Sequence, residues 1–422
     1  MDGNMLKPGK IPKIEPLIRV GLILPQDEIE SIQVSFSDPQ CFELETEKKL
    51  YPSCNNQDEL TLQLRKGELH ISQFNVTSPT INIIPSIQDE EPYITLFGMI
   101  AGRGFHWQKR ITASFWGKIE FSVMDHKIIA INELPLEQYL KCVATSEMSA
   151  QCPSEFLKAQ TIVSRSWLLA NIEQKHKHLG FDICNDDCCQ RYQGMANTTD
   201  VSITSTNDTL GQVLIFNDQI CDARYSKSCG GSTEKYENVW EGDPVPYLLS
   251  IPDVNESGAV YCSPEIVSED SLKFYIGDVD EKGKYFRWTY KLAQSELVSS
   301  LKEKCELTAV NILELNPLKI GDSGRIIDLE IKYSDKAGKT QSVLLQSEYE
   351  IRNILSSSFL YSSAFTIAKE SDDSFQLNGK GWGHGVGMCQ IGALGRAFSN
   401  HDYASILKHY YPGSELKTIY QS

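Results

Sequence analysis

The 422-residue chain lacks any long apolar run: the stretches 17–24 and 128–131 are short or broken by charge. A membrane-spanning helix needs about 20 consecutive apolar residues, so none is expected. Positive charge is also in deficit, with 40 Lys and Arg against 56 Asp and Glu and a formal net charge of −16. Such a surface repels phosphodiester backbones and argues against a nucleic-acid partner. It suits a neutral polysaccharide, although solubility alone would account for it. No internal repeat is visible. Residues 1–16 read as a polar leader with Lys7, Lys10 and Lys13 among Pro and Gly. Neither an apolar h-region nor a small-residue cleavage site follows. A cytoplasmic chain is therefore as open as one whose export signal was removed.

Apolar residues at 41% and charged residues at 23% are ordinary for a globular protein. Cysteine is abundant, at 12, and unevenly spread. Cys184, Cys188 and Cys189 are clustered, while Cys41, Cys54, Cys142, Cys152, Cys221, Cys229, Cys262, Cys305 and Cys389 are scattered. A small secreted disulfide scaffold would be shorter and denser in cysteine. The cluster reads as a metal site and the scattered thiols mostly as small buried residues.

Residues 18–24 predict a first strand, and alternating segments between 31 and 100, such as 60–64 and 93–97, predict further strands separated by Pro, Asn, Asp and Gly. After a β stretch at 111–131 the period changes. Leu136, Tyr139, Leu140 and Val143 take helical spacing behind Pro135. Ser154 is placed to cap a longer helix with an apolar face of Phe156, Leu157, Ala159, Ile162, Val163, Trp167, Leu168 and Ile172. Strands return at 212–216 and 220–225. A charged region at 263–346 mixes strands with a helix near 292–304, and helices near 390–398 and 403–410 close the chain. The expected class is α+β, a mainly β body with an inserted helical segment and a stapled loop. In domains this means a leader at 1–16 and one unit at 17–422. That unit has an atypical β-rich segment at about 31–100 and a second β-rich lobe at about 263–346.

Four groups of residues have chemical promise. Glu147, in Ser146-Glu147-Met148, falls at the last turn of the first helix, with Glu155, Lys158, Gln160 and Arg165 on the next. A Glu partly desolvated in a cleft is suited to protonating a glycosidic oxygen, whereas a lone Glu at a helix end is usually solvated or capping. His178, Cys184, Cys188 and Cys189 supply four N/S ligands, enough for closed, structural tetrahedral zinc. His176 can replace one of them, and buried or oxidised thiols are the plainer alternative. The glycines at 379, 381, 383, 385 and 387 around Trp382 and His384 imply positive φ or backbone lying against another surface. They match neither phosphate-loop nor dinucleotide spacing, and His384 can equally be a core histidine bonded to backbone. Finally, Ser228 precedes Cys229-Gly230-Gly231 without a nucleophile-elbow motif, so a turn is the default. Trp240 and Tyr247 can stack on sugars or simply fill core.

Taken in order, these blocks resemble the SpoIID/LytB family of stage II sporulation protein D and amidase enhancer. The likeness runs through residues 132–140, Ser146-Glu147-Met148, Leu157-Lys158-Ala159-Gln160, Cys189-Gln190-Arg191-Tyr192-Gln193-Gly194 and Gly230-Gly231-Ser232-Thr233. It continues in Val239-Trp240, Pro246-Tyr247-Leu248, residues 381–388 and Tyr410-Tyr411-Pro412-Gly413. The resemblance implies a peptidoglycan lytic transglycosylase, a lyase acting in the cell envelope, with Glu147 as its single acid–base residue. It further implies Gln160, Arg165, Gln190, Tyr192, Ser228, Trp240, His384 and Gln390 along the glycan, and zinc on His178, Cys184 and Cys189 with Cys188 as an added ligand. Cys229 and Cys389 stand where the family usually has Ser. The expected partner is the glycan strand. The competing expectations are a non-catalytic glycan-binding activator of a cell-wall amidase and a cytoplasmic protein that keeps the fold for another purpose.

Overall fold

The computed structural model describes residues 5–51, 58–86, 91–105, 107–277, 284–371 and 373–421; Cys54 and residues 1–4 of the leader lie outside them. The fold is α+β, and the chain divides into two compact units. One comprises Met1–Val213 with Asp218–Asp222 and Lys417–Ser422, the other Leu214–Asn217 with Ala223–Leu416.

The first unit holds two sheets. In spatial order the larger runs Ile183–Cys184, Leu17–Ile23, Lys127–Pro135, Lys118–Met124, Thr80–Pro85, Phe42–Thr46 and Leu50–Tyr51. The other runs Lys109–Trp116, Tyr93–Ala101, Ser31–Phe36, Glu59–Arg65, Glu68–Ile71 and Val76–Ser78. Alternation sets which face is buried: Ile32, Val34 and Phe36 point inward while Ser31 and Gln33 are exposed. In the larger sheet Arg19 pairs in register with Glu133, and its guanidinium bridges Glu133 at 2.8 Å and Glu120 at 3.0 Å, locking three neighbouring strands.

The strand Lys127–Pro135 runs straight into helix α1 (Leu136–Glu147), followed by α2 (Ser154–Ala170) and α3 (Asp200–Asn207). Pro153 takes the cap position of α2. Ser154, expected to cap it, is instead the first helical residue and bonds Ser205 with its hydroxyl at 3.0 Å. Asn171 then ends α2 in the left-handed conformation at φ 30°. Ile172, expected on the apolar face, is thereby carried off the helix and stands 61% exposed. The leader is docked rather than free: Leu6 is buried, its N–H donates to Leu17, and the N–H of Gly9 donates to Leu169.

The second unit contains two three-stranded sheets, one of Arg287–Ala293, Ser374–Lys380 and Phe365–Ser371, the other of Ala309–Ile320, Ile326–Asp335 and Thr340–Leu345. Trp288, Leu297, Leu301, Ile331, Ile351 and Leu377 share their core with the helices Gln294–Cys305 and Glu348–Ile354. A short parallel pair, Tyr225–Ser226 with Met388–Cys389, leads into the helix Gln390–Phe398. Among the described residues no helix is long and apolar enough to cross a membrane.

Candidate functional site

Glu147 is the last residue of α1 and is 7% exposed. Its Oε1 accepts the N–H of Arg191 at 3.0 Å, and two residues on, the N–H of Gln193 donates to Ser146 Oγ at 3.1 Å. Residues 190–193 therefore lie along the end of α1 and orient the carboxylate through backbone. Gln190 and Tyr192 hold that segment from inside. Gln190 accepts from Tyr139 at 3.0 Å and donates to the carbonyl of Ser164 at 3.2 Å, while the hydroxyl of Tyr192 donates to Asn132 at 2.9 Å. Both residues are fully buried.

Immediately before this segment comes the cysteine loop. Cys184, Cys188, Cys189 and His176 bring their ligand atoms within 4.8 Å of one another, an arrangement that could hold a metal ion. The imidazole that reaches the thiols is His176, with Nε2 at 3.8 Å from Cys188 Sγ. His176 stacks on Phe181, which packs with Leu24, Ile129, Ile131 and Cys184. His178 lies two residues on, in the turn Lys177–Leu179, and is exposed outside the group. Hydrogen bonds from the Cys184 and Cys189 thiols, and further from His176, favour Cys188 as thiolate, the form a metal takes. Three soft sulfurs and one nitrogen suit a tetrahedral ion with no open position.

A further clamp left only a faint signal in the sequence. Arg103 binds Asp27 through Nε at 2.6 Å and Asp186 at 3.1 Å, and reaches the Asn185 side chain at 2.8 Å. Asp186 also accepts the N–H groups of Gly102 and Arg103. These pairs span 76 to 84 positions in sequence, so only folding brings them to the loop. Acidic residues beside clustered cysteines were the one available hint.

The helix α2 puts its polar residues to structural use. Arg165 is fully buried and its guanidinium forks onto Glu137, which also accepts from Tyr420 at 2.7 Å. Burial lowers an arginine's affinity for its proton, but the Glu137 charge more than restores it, so the guanidinium holds its proton more tightly than usual. Lys158 pairs with Asp208 at 3.0 Å and Glu155 at 3.5 Å, and buried Gln160 donates to Ser164 at 3.1 Å.

In the second unit, Gly381, Gly383, Gly385 and Gly387 all have positive φ. At Gly387 a Cβ would sit 1.9 Å from the carbonyl oxygen of Arg224, and at Gly385 it would strike the Arg325 guanidinium at 2.4 Å. The glycine spacing is thus the imprint of close backbone approach. Fully buried Arg325, without a sequence signal, ties Gly383 through its carbonyl at 3.0 and 3.1 Å. His384 Nδ1 accepts the N–H of Val386 at 3.0 Å, and its ring meets Trp240 edge-on at 4.8 Å. Burial, joined by the charges of Arg224, Arg325 and Arg352, pushes its pKa well below the usual histidine value. That direction favours the neutral imidazole. Ser228 is buried and its backbone pairs with Trp382, while Gln390 is buried at the first turn of its helix.

Comparison with known proteins gives these arrangements a relative. The SpoIID family, described as stage II sporulation protein, matches residues 124–216, which include α1, α2 and the cysteine loop. A domain of unknown function, DUF8618, matches residues 234–387. An uncharacterized protein of Brachyspira hyodysenteriae is 30% identical over 305 residues, 72% of this chain and 72% of the relative. The amidase enhancer of Bacillus subtilis is 26% identical over 66% of this chain but only 40% of its own length. Stage II sporulation protein D of the same organism is 24% identical over 68% of this chain and 76% of its own. With Glu147 and the cysteine loop inside the matched stretch and the relatives spanning both units, this chain belongs to the SpoIID/LytB family.

Proposed function

We propose that this chain is a peptidoglycan lytic transglycosylase with Glu147 as its single acid–base residue. The observation that carries the reading is the setting of that carboxyl. It closes α1, is 7% exposed, and is oriented by the Arg191 N–H from the loop that the thiols tie down. A glycoside hydrolase of the usual kind needs two carboxylates flanking the bond. A lytic transglycosylase needs one, because the 6-hydroxyl of the muramic acid is the nucleophile. Protonated Glu147 donates to the bridging oxygen as the glycosidic bond breaks. The resulting carboxylate then takes the proton of the 6-hydroxyl as its oxygen closes on C1, leaving a 1,6-anhydro end and regenerating the acid.

Zinc is the ion we assign to His176, Cys184, Cys188 and Cys189, where it would supply rigidity rather than chemistry. Its work falls to Arg191, two residues beyond Cys189: the tied loop sets the position of the N–H that aims Glu147. Such a substrate places the working protein outside the cytoplasmic membrane.

Digestion of purified peptidoglycan, intact and stripped of peptide stems, with mass spectrometry of the products tests the reading. Anhydro-ended fragments are expected from the native chain and none from Glu147→Gln. Unchanged release by that variant removes Glu147 from the reaction. A second reading, a glycan-binding activator of a cell-wall amidase, is favoured by the relative named amidase enhancer. Binding without anhydro ends, together with faster cleavage by an added amidase, would select it.

A further inference from the structure

A second cluster of ligating side chains lies within the second unit. Cys229, Asp253, Cys262 and Cys389 have their ligand atoms within 4.8 Å of one another, and all four residues are buried. The thiols are free. Cys229 Sγ lies 3.7 Å from Cys262 Sγ and 3.7 Å from Asp253 Oδ2. A disulfide needs about 2.05 Å between sulfurs. By contrast, metal–sulfur bonds of about 2.3 Å in a tetrahedron put the sulfurs about 3.8 Å apart.

Three features separate this group from buried thiols that merely fill core. The sulfurs are hydrogen-bond acceptors: the N–H of Cys229 donates to Cys389 at 3.1 Å, that of Gly392 to Cys389 at 3.2 Å, and that of Gly231 to Cys229 at 3.4 Å. A neutral thiol accepts weakly and a thiolate strongly. Cys389 is also the N-cap of the helix Gln390–Phe398, the end that favours negative charge. Asp253, in turn, is aimed. Its Oδ1 is held by the Arg396 guanidinium at 2.9 and 3.1 Å and its Oδ2 accepts from Tyr410 at 2.9 Å, which leaves Oδ2 facing the sulfurs. Room for that approach exists only because position 392 is glycine, where a Cβ would fall 2.0 Å from Asp253 Oδ2.

We propose that Cys229, Cys262, Cys389 and Asp253 form a second, closed metal site for a soft divalent ion, zinc foremost. Positive charge from the ion and from Arg396 offsets three thiolates and a carboxylate that would otherwise be costly to bury. The site joins the Gly230-Gly231 turn, the strand pair Tyr225–Ser226 with Met388–Cys389 and the helix Gln390–Phe398. Through the Ser228–Trp382 backbone pair it steadies the glycine-rich loop.

The test is metal content of the full chain, purified under reductant and counted by plasma mass spectrometry. Two equivalents of zinc are expected in the native chain. The double variant Cys184→Ser with Cys188→Ser is expected to keep one, and Cys262→Ser with Cys389→Ser to lose one. A Cys184→Ser, Cys188→Ser chain without metal overturns the proposal, as does a native Cys229–Cys262 disulfide in non-reduced peptide maps. Should Cys262→Ser with Cys389→Ser fail to fold, cobalt(II) titration of the metal-stripped native chain decides. Saturation of the thiolate charge-transfer band at two equivalents supports the site, and saturation at one sinks it.

Discussion

The two thiol clusters make an instructive pair. In the first unit His176, Cys184, Cys188 and Cys189 come from 14 consecutive residues, and Cys188 is exposed. In the second, the ligating residues run from 229 to 389 and every one is buried. Each is backed by an arginine, but differently. Arg103 braces the loop around the first cluster by binding Asp27 and Asp186, neither of which is among the four gathered residues. Arg396 binds Asp253, which is. A local cluster can be built by a loop and then anchored, whereas a dispersed one exists only once the core around it has formed.

The sharpest way to break the comparison is to remove its braces. Arg103→Met leaves two buried carboxylates uncompensated and is expected to cost about 3–5 kcal/mol of stability. Urea unfolding followed by hydrogen exchange in the first unit measures it, and a loss under 1 kcal/mol would make the clamp incidental. Next in size, Cys188→Ala with Cys189→Ala is expected to lower anhydro-product turnover about 10–100-fold, the range for lost support around a functional group. The same pair of changes should leave the second unit's exchange pattern untouched. Equal damage in both units would erase the distinction.

A subtler contrast is kinetic. Under a chelator the ion beside exposed Cys188 should leave faster than one enclosed by four buried residues. Two phases of zinc release, with the fast one absent from Cys184→Ser, are the expected record. The smallest effect is the most local. His176→Ala is expected to weaken the first site, while His178→Ala, altering an exposed ring outside the group, should leave zinc content unchanged. The reverse result would reassign the ligand.

That last pair shows where reading the sequence reaches its end. Spacing marks the cysteines and two nearby histidines, but the choice between His176 and His178 depends on which ring finds an apolar neighbour. Phe181, seated on Leu24, Ile129 and Ile131, receives His176, and the short turn Lys177–Leu179 carries His178 outward. Helix bounds show the same limit. Periodicity finds α1 and α2, yet a left-handed Asn171 rather than any apolar pattern stops α2 before Ile172. Arg165 looks from sequence like a polar neighbour of Glu147, but it forks onto Glu137, 28 positions earlier, where Tyr420 completes the network.

What the order of residues determined on its own was everything carried by short-range repetition: the strands, the helix bearing Glu147, the cysteine loop and the glycines that permit positive φ. Backbone propensity and nearest-neighbour geometry suffice for those. Tertiary structure alone decided the Arg191 N–H on Glu147, the Arg103 clamp and the group of Cys229, Asp253, Cys262 and Cys389. These unite residues tens to more than a hundred positions apart, and no local pattern records a contact that exists only when distant segments share a core.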